Sequence, residues 1–214
     1  MGHVAQSDEV IIVGAGGHGR EVAHVLRARR AADLAAPRLV GFVDDADVDP
    51  TLLAPFAPRL GTVAQGLAAH PRAAVIGGVA DGRVRWGLVA GRTATAALIH
   101  PLADVGEDVV LGEGTVICSH ASLTTHVTVG VHVHISRGAA IGHDAVLEDY
   151  VSIMPLAAVS GSVRLGARVF VGTGAVIRQG VTVGEDAVVG MGAVVLRDVP
   201  AGVTVIGSPA RAMG

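Results

Sequence analysis

From Ile99 to Pro200 a six-residue unit recurs seventeen times without insertion or deletion. Its first position, stepping from Ile99 through Val105, Leu111 and Ile117 to Val195, is always Val, Ile or Leu. Its fifth, from Ala103 to Val199, is always Ala, Val or Thr. The third position is an internal control, since Val131 is its only branched aliphatic. A period of six fits neither an amphipathic helix nor a long alternating strand, but it fits a chain that turns a corner after each short strand. Three units then close one triangular coil. The large and small inward residues of each coil stack on those of the next and bury a continuous core.

Glycine follows the aliphatic in eight units, from Gly106 to Gly190, and a second set stands at Gly114, Gly138, Gly161, Gly174, Gly180 and Gly192. A missing side chain permits a tight turn or a close approach of backbone. Eighteen residues make a full coil, so the count also places Gly161 over His143, one strand spacing or about 4.8 Å away.

The hundred residues before the repeat read differently. Glu9 to Val13 is an apolar strand running into Gly14-Ala15-Gly16-Gly17-His18-Gly19, and Arg20 to Leu34 has apolar residues at helical spacing. A second strand, Leu39 to Val43, ends on Asp44-Asp45. A proline-punctuated loop from Pro50 to Pro58, a short helix at Val63 to Ala69, a strand at Ala73 to Gly78, a helix from Gly82 to Ala90 and a strand at Ala96 to Ile99 complete a small α/β unit. The expected division is residues 1–97 for this unit, 98–202 for the coiled repeat and 203–214 for a tail. The glycine turn has the dinucleotide-binding spacing and context. Physically it says that backbone amides and a helix N-terminus face an anion, which a nucleotide-sugar pyrophosphate satisfies as well as NAD. The unit stops after three or four strands with no second half of a doubly wound sheet, which argues against NAD.

With 214 residues, half of them hydrophobic and 16% charged, the chain can bury a sizeable core. A net charge of -3 gives no electrostatic reason to expect nucleic acid or an anionic membrane as partner. Every apolar run is interrupted before the roughly 20 residues that a spanning helix needs. The start, MGHVAQSDEV, has no basic segment followed by an apolar one. Cys118 is the only cysteine, so no intrachain disulfide forms, and a reducing cytoplasm is expected.

On VGAGGHGREV, GFVDD, the Ile76-Gly77 strand end, the IGHD from Ile141 to Asp144 and the closing VIGSPAR, nearly the whole chain resembles the sialic-acid O-acetyltransferase and bacterial nucleotide-sugar N-acetyltransferase group of the hexapeptide-repeat acyltransferases. That resemblance implies a small Rossmann-like domain followed by a left-handed parallel β-helix. The hand comes with the resemblance, because the general rule for parallel crossovers favours the right. It also implies acetyl-CoA as co-substrate, a nucleotide-linked sugar as acceptor and a homotrimer with three shared sites. By matching positions, Gly14, Gly16, Gly17, His18, Asp44, Asp45 and Gly77 would surround the nucleotide sugar. The stretch Gly78-Val79-Ala80-Asp81 departs from the family, which has a shorter polar turn there.

Of the repeat's histidines, which include His100, His120, His126, His132 and His134, only His143 has a carboxylate beside it in a family motif. The resemblance makes it the catalytic base, with Asp144 to orient it. Imidazole suits the task because its ordinary pKa lies near the operating pH and a neighbouring carboxylate fixes its tautomer. The same comparison puts Gly161 at the oxyanion. A second family histidine, near the acyl donor, falls on Ser152, which can hydrogen-bond but carries no charge at neutral pH. His134 stands at the equivalent site one coil earlier. Thr173, Gly190, Ala193 and Arg211 complete the expected acyl-CoA contacts, and no metal is expected.

Three other readings stay open. One is O-acetylation of a non-nucleotide sugar or natural-product acceptor. A second is a γ-class carbonic anhydrase, which needs a second histidine where Glu148 stands, five after His143. The third is a non-catalytic nucleotide-sugar scaffold.

Overall fold

The computed structural model describes residues 7–213. The first six residues of the polar start and Gly214 lie outside the described residues.

The α/β unit is built on β1 (Glu9–Val13), which lies between β2 (Arg38–Val43) and β3 (Ala74–Gly77) in a three-stranded parallel sheet of order β2-β1-β3. A strand covered on both faces should be apolar throughout, and Val10 to Val13 are fully buried. Helix α1 spans Gly17–Ala31, three residues earlier than the apolar spacing predicts, because the glycine turn delivers the chain into helical conformation at Gly17, directly after the extended N-cap Gly16. Helix α2 (Val63–Ala69) starts with a reciprocal capping box between Thr62 and Gln65, and α3 (Gly82–Val89) is capped by the Asp81 carboxylate. The proline-rich loop contains one short 3₁₀ turn, Pro50–Leu52. The strand expected at Ala96 to Ile99 shortens to Leu98–Ile99 and pairs with Val116–Ile117 of the repeat, so it belongs to the β-helix and not to the α/β sheet.

The repeat forms a left-handed β-helix with three parallel faces. The first runs from Leu98–Ile99 through His134–Ile135 and Ser152–Ile153 to Val188–Val189. The second runs from Asp104–Val105 to Val194–Val195, and the third from Val110–Leu111 to Thr182–Val183. Each residue pairs with the one eighteen later, as in Ala140 with Ala158 and Val146 with Arg164. The first- and fifth-position residues from Ile117 onward make one buried cluster. Ile99, Val105 and Leu111 are only partly buried, because no coil stacks beneath them. Burying each such aliphatic contributes about 1.5–3 kcal/mol.

The fourth position of every unit from Gly114 to Gly192 has positive φ. This sorts the second set of glycines. Gly114, Gly138, Gly174, Gly180 and Gly192 occupy that left-handed position, whereas Gly161 is a third-position residue outside it. The turn therefore does not account for Gly161.

The α/β unit packs on the first face. Val22, Val25 and Leu26 of α1 share a core with Leu98, Val116 and Cys118. Among the described residues, no helix is long and apolar enough to cross a membrane.

Candidate active site

His143 stands on the corner between the second and third faces, half-exposed, with Nδ1 2.7 Å from Asp144 Oδ2. Backbone bonds fix this corner from both sides. Asp144 N–H donates to Thr125 O in the coil before, and Ser162 N–H donates to His143 O from the coil after. A neutral imidazole whose Nδ1–H is given to a carboxylate keeps the lone pair of Nε2 free to take a proton. A Cβ built on Gly161 would lie 2.5 Å from His143 Nε2 and Cε1, so glycine is required there by the ring. Among the described residues the Gly161 N–H has no acceptor on the protein, while its carbonyl takes the N–H of Gly180.

The glycine turn is a second, separate feature. Gly14 has φ +108° and meets Val79 so closely that no side chain fits. Gly19 lies against the Gly14 carbonyl, which lets helix and strand close-pack. Gly16 has open space where its Cβ would be, and the N-terminus of α1 carries no side-chain cap. That open end, with Gly17 beside it, suits a phosphate group. Asp44 braces the turn by accepting from Ala15 N (2.7 Å) and Ala46 N, and Asp45 accepts from Val63 N at the start of α2.

The other expected nucleotide residues serve the joint between the two units. A Cβ on Gly77 would strike the Arg85 stem at 2.5 Å, so its absence lets that side chain pass. Arg85, fully buried and without a carboxylate partner among the described residues, donates to the carbonyls of His132, Val79, Ala80, Tyr150 and Val151 and to Ser152 Oγ. Burial lowers its pKa to about 9. His18 turns toward the β-helix, with Nε2 2.6 Å from His134 Nδ1. The stretch Gly78 to Asp81, which departs from the family, supplies two acceptors for Arg85 and the cap of α3.

Two of the expected acyl-CoA contacts are corrected. Ser152 has no exposed surface, and its hydroxyl donates to Ala80 O (2.5 Å) while accepting from Arg85. It is a joint residue, closed off from a donor. Ala193 is a fifth-position residue whose side chain lies inside the β-helix core. Thr173 and Arg211 are exposed, and Gly190 borders Ile206. Thr173 and Gly190 follow first-face strands on the corner between the first and second faces. They are thus separated from His143 and Gly161 by the width of the second face.

Arg85 escaped the sequence reading, although an arginine two residues after Arg83 on an otherwise mixed helix gives a weak sign of two faces with different fates. Arg83 pairs with Asp186, and Trp86 carries the Arg168 guanidinium over its ring, so α3 is clamped to the β-helix by both. Glu148 accepts from Ala167 N, and no group of three or more His, Cys, Asp or Glu among the described residues is placed to hold a metal.

Residues 9–90 match the PglD N-terminal domain, and residues 162–197 match the hexapeptide repeat of succinyl-transferase. The chain is 30% identical to GDP-perosamine N-acetyltransferase of Escherichia coli O157:H7 over 94% of its own length and 95% of the relative's. Its structure is similar to the acetyltransferase domain of PglB from Neisseria gonorrhoeae FA1090, with TM-score 0.82 and 30% identity over 97% of this chain and 100% of that one. It is also similar to PerB from Caulobacter crescentus in complex with CoA and GDP-perosamine, with TM-score 0.77 and 30% identity over 96% and 97% of the two chains. The chain belongs to the nucleotide-sugar N-acetyltransferase group of the hexapeptide-repeat acyltransferases.

Proposed function

We propose that this protein transfers an acetyl group from acetyl-CoA to the amine of a nucleotide-linked sugar, with His143 as general base. The observation that carries the reading is the His143–Asp144 pair seated over the side-chain-free Gly161 on a corner whose neighbouring amide is unengaged. His143 Nε2 takes a proton as the amine nitrogen attacks the thioester carbonyl carbon. The Gly161 N–H donates to the oxygen as it gains negative charge, and one such donor is typically worth about 10²–10³ in rate. Collapse of the tetrahedral adduct breaks the C–S bond, and the thiolate of CoA recovers the proton from His143. The full-length relatives named for N-acetyl transfer favour an amine acceptor over a hydroxyl.

The arrangement calls for more than one copy of the chain. The glycine turn lies against the first face, opposite the corner that carries His143, so one chain alone keeps the two apart. Of the three faces, the first is covered by the chain's own α/β unit, and the third exposes Thr128, Arg164 and Thr182. The second carries Asp104 and Ser122 on its first two strands and is apolar beyond them, with Ala140, Ala158, Val176 and Val194 along it and exposed Leu156 and Met191 at its rim. A trimer closed through the second face would bring the His143 corner of one copy to the Thr173 corner of the next. A cytoplasmic setting suits the lone, buried Cys118.

The direct test is a free-thiol assay with acetyl-CoA and a panel of GDP-, UDP- and dTDP-linked amino sugars beside their hydroxyl analogues. Thiol release that requires the amine supports the reading. Release with hydroxyl sugars alone would establish O-acetylation instead, and no release with any nucleotide sugar would leave the scaffold reading.

A further inference from the structure

The histidine of the glycine turn is mostly turned away from solvent. His18 lies edge to edge with His134 of the first face, with ring centroids 4.9 Å apart and planes inclined by only 22°, and its Nε2 lies 2.6 Å from Nδ1 of His134, the geometry of an in-plane hydrogen bond. His134 is enclosed, and its remaining nitrogen, Nε2, has no partner among the described residues. Burial and the nearby Arg85 guanidinium hold His18 down to about 4 and His134 well below its ordinary value, so both rings are neutral near pH 7.

Neutral rings hold one proton each, and the surroundings decide where it sits. If His18 donated, the single proton of His134 would be on Nε2, an unpaired buried N–H that costs about 1–3 kcal/mol. The lone pair of His18 Nδ1 would also face the Glu21 carboxylate, 3.8 Å away. If His134 donates from Nδ1, its Nε2 keeps an unpaired lone pair in place of an unpaired N–H, and the repulsion between His18 Nδ1 and Glu21 becomes an attraction. His18 then points its Nδ1–H toward Glu21, whose other oxygen accepts from Arg137 Nη1 at 2.6 Å. The chain of contacts leaves the β-helix at His134, crosses α1 through His18 and Glu21, and returns to the β-helix at Arg137, three residues on. It clamps the first turn of α1, the same turn whose open Gly16–Gly17 end suits a phosphate.

We infer that His134 is a positioning residue for the acceptor: by donating from Nδ1 to His18 it fixes the angle at which the N-terminus of α1 presents a nucleoside diphosphate. This rests on the nucleotide-sugar reading above. It also gives His18 a role different from ligand contact.

The test uses the full-length chain, with GDP-perosamine and a UDP-linked amino sugar as acceptors. His134→Phe keeps a planar ring of similar size but removes the donor, and His134→Asn restores an N–H near the position of Nδ1. The expected result is an approximately tenfold loss of acceptor kcat/KM in His134→Phe, an unchanged acetyl-CoA KM and substantial recovery in His134→Asn. Arg137→Met, at the exposed end of the same chain, is expected to show a smaller loss of the same kind, and it carries the test if His134→Phe does not fold. An acceptor kcat/KM equal to wild type in the folded variants overturns the inference, as does an equal loss toward both substrates with no recovery by asparagine. If the wild-type protein acetylates neither sugar nor any other nucleotide sugar, the functional reading itself fails, and the positioning role fails with it.

Discussion

The imidazole of His143 occupies the space in which a side chain at Gly161 would begin, one coil further along the same corner. Gly161→Ala is therefore expected to push the ring off Asp144 and partly cover the neighbouring amide. The β-helix should remain folded, since position 161 is not one of the left-handed turn sites. We expect kcat to fall by about 10²-fold, comparable to losing one oxyanion donor. Circular dichroism and steady-state kinetics on the same sample decide it, and a folded Gly161→Ala protein with wild-type turnover would show that the ring needs no such space.

Ser152 is expected to matter for stability and not for the donor. Ser152→Ala removes a buried hydrogen bond to Ala80 and one acceptor for Arg85, a loss of about 1 kcal/mol and roughly 2–4 °C in Tm. Its acetyl-CoA KM should equal that of wild type. A raised KM at unchanged Tm would return Ser152 to the donor site.

These two residues mark where the sequence was legible. The repeat could be read from spacing alone, because inward positions recur with a fixed period and tolerate only a few side chains. The relation of Gly161 to His143 followed from the same count. Gly77, His18 and Ser152 were not separable from ligand contacts, because a motif position states that a residue is constrained and not which neighbour constrains it. That neighbour is Arg85 for Gly77 and Ser152 and His134 for His18, each supplied by packing between the α/β unit and the first face. Such packing depends on the faces that α1 and α3 present, to which the spacing of apolar residues gives only a loose guide. Ala193 was misassigned although its fifth position in the unit already marked it as inward.

Acid should loosen the joint. His18 and His132 are each held down from 6.5 to about 4 by burial and then by Arg85; Glu21 opposes the shift at His18, as Asp149 does at His132, and Arg137 adds to it at His18. His134 is lowered in the same way, with His18 and His132 contributing. A folded value below the unfolded one means that the unfolded chain binds more protons in between, so stability is full above pH 6.5 and falls as the pH drops toward 4. Urea midpoints measured from pH 8 to 4.5 should decline below pH 6.5. The decline should be shallower in His132→Phe, and a flat profile in the wild type would contradict neutral buried rings.

If sites are shared, two inactive chains should restore one another. Protein carrying His143→Ala mixed and reassembled with protein carrying Gly16→Val, which fills the open cradle of the glycine turn, is expected to recover part of the wild-type rate. Sedimentation should give a trimer. A monomer with full activity, or mixtures as inactive as their parents, would place the whole site in one chain.

The most direct measurement is the turnover of His143→Ala with acetyl-CoA and a nucleotide-linked amino sugar at neutral pH, beside Asp144→Asn. His143 is half-exposed and outside the core, so the variant should fold and bind nucleotide as wild type does. Its kcat is expected to fall by about 10²–10⁴-fold, the range for removing a general base. Asp144→Asn should lose less, because it disturbs the orientation of the ring and leaves the ring in place. A folded His143→Ala protein that turns over at the wild-type rate would contradict base catalysis by His143.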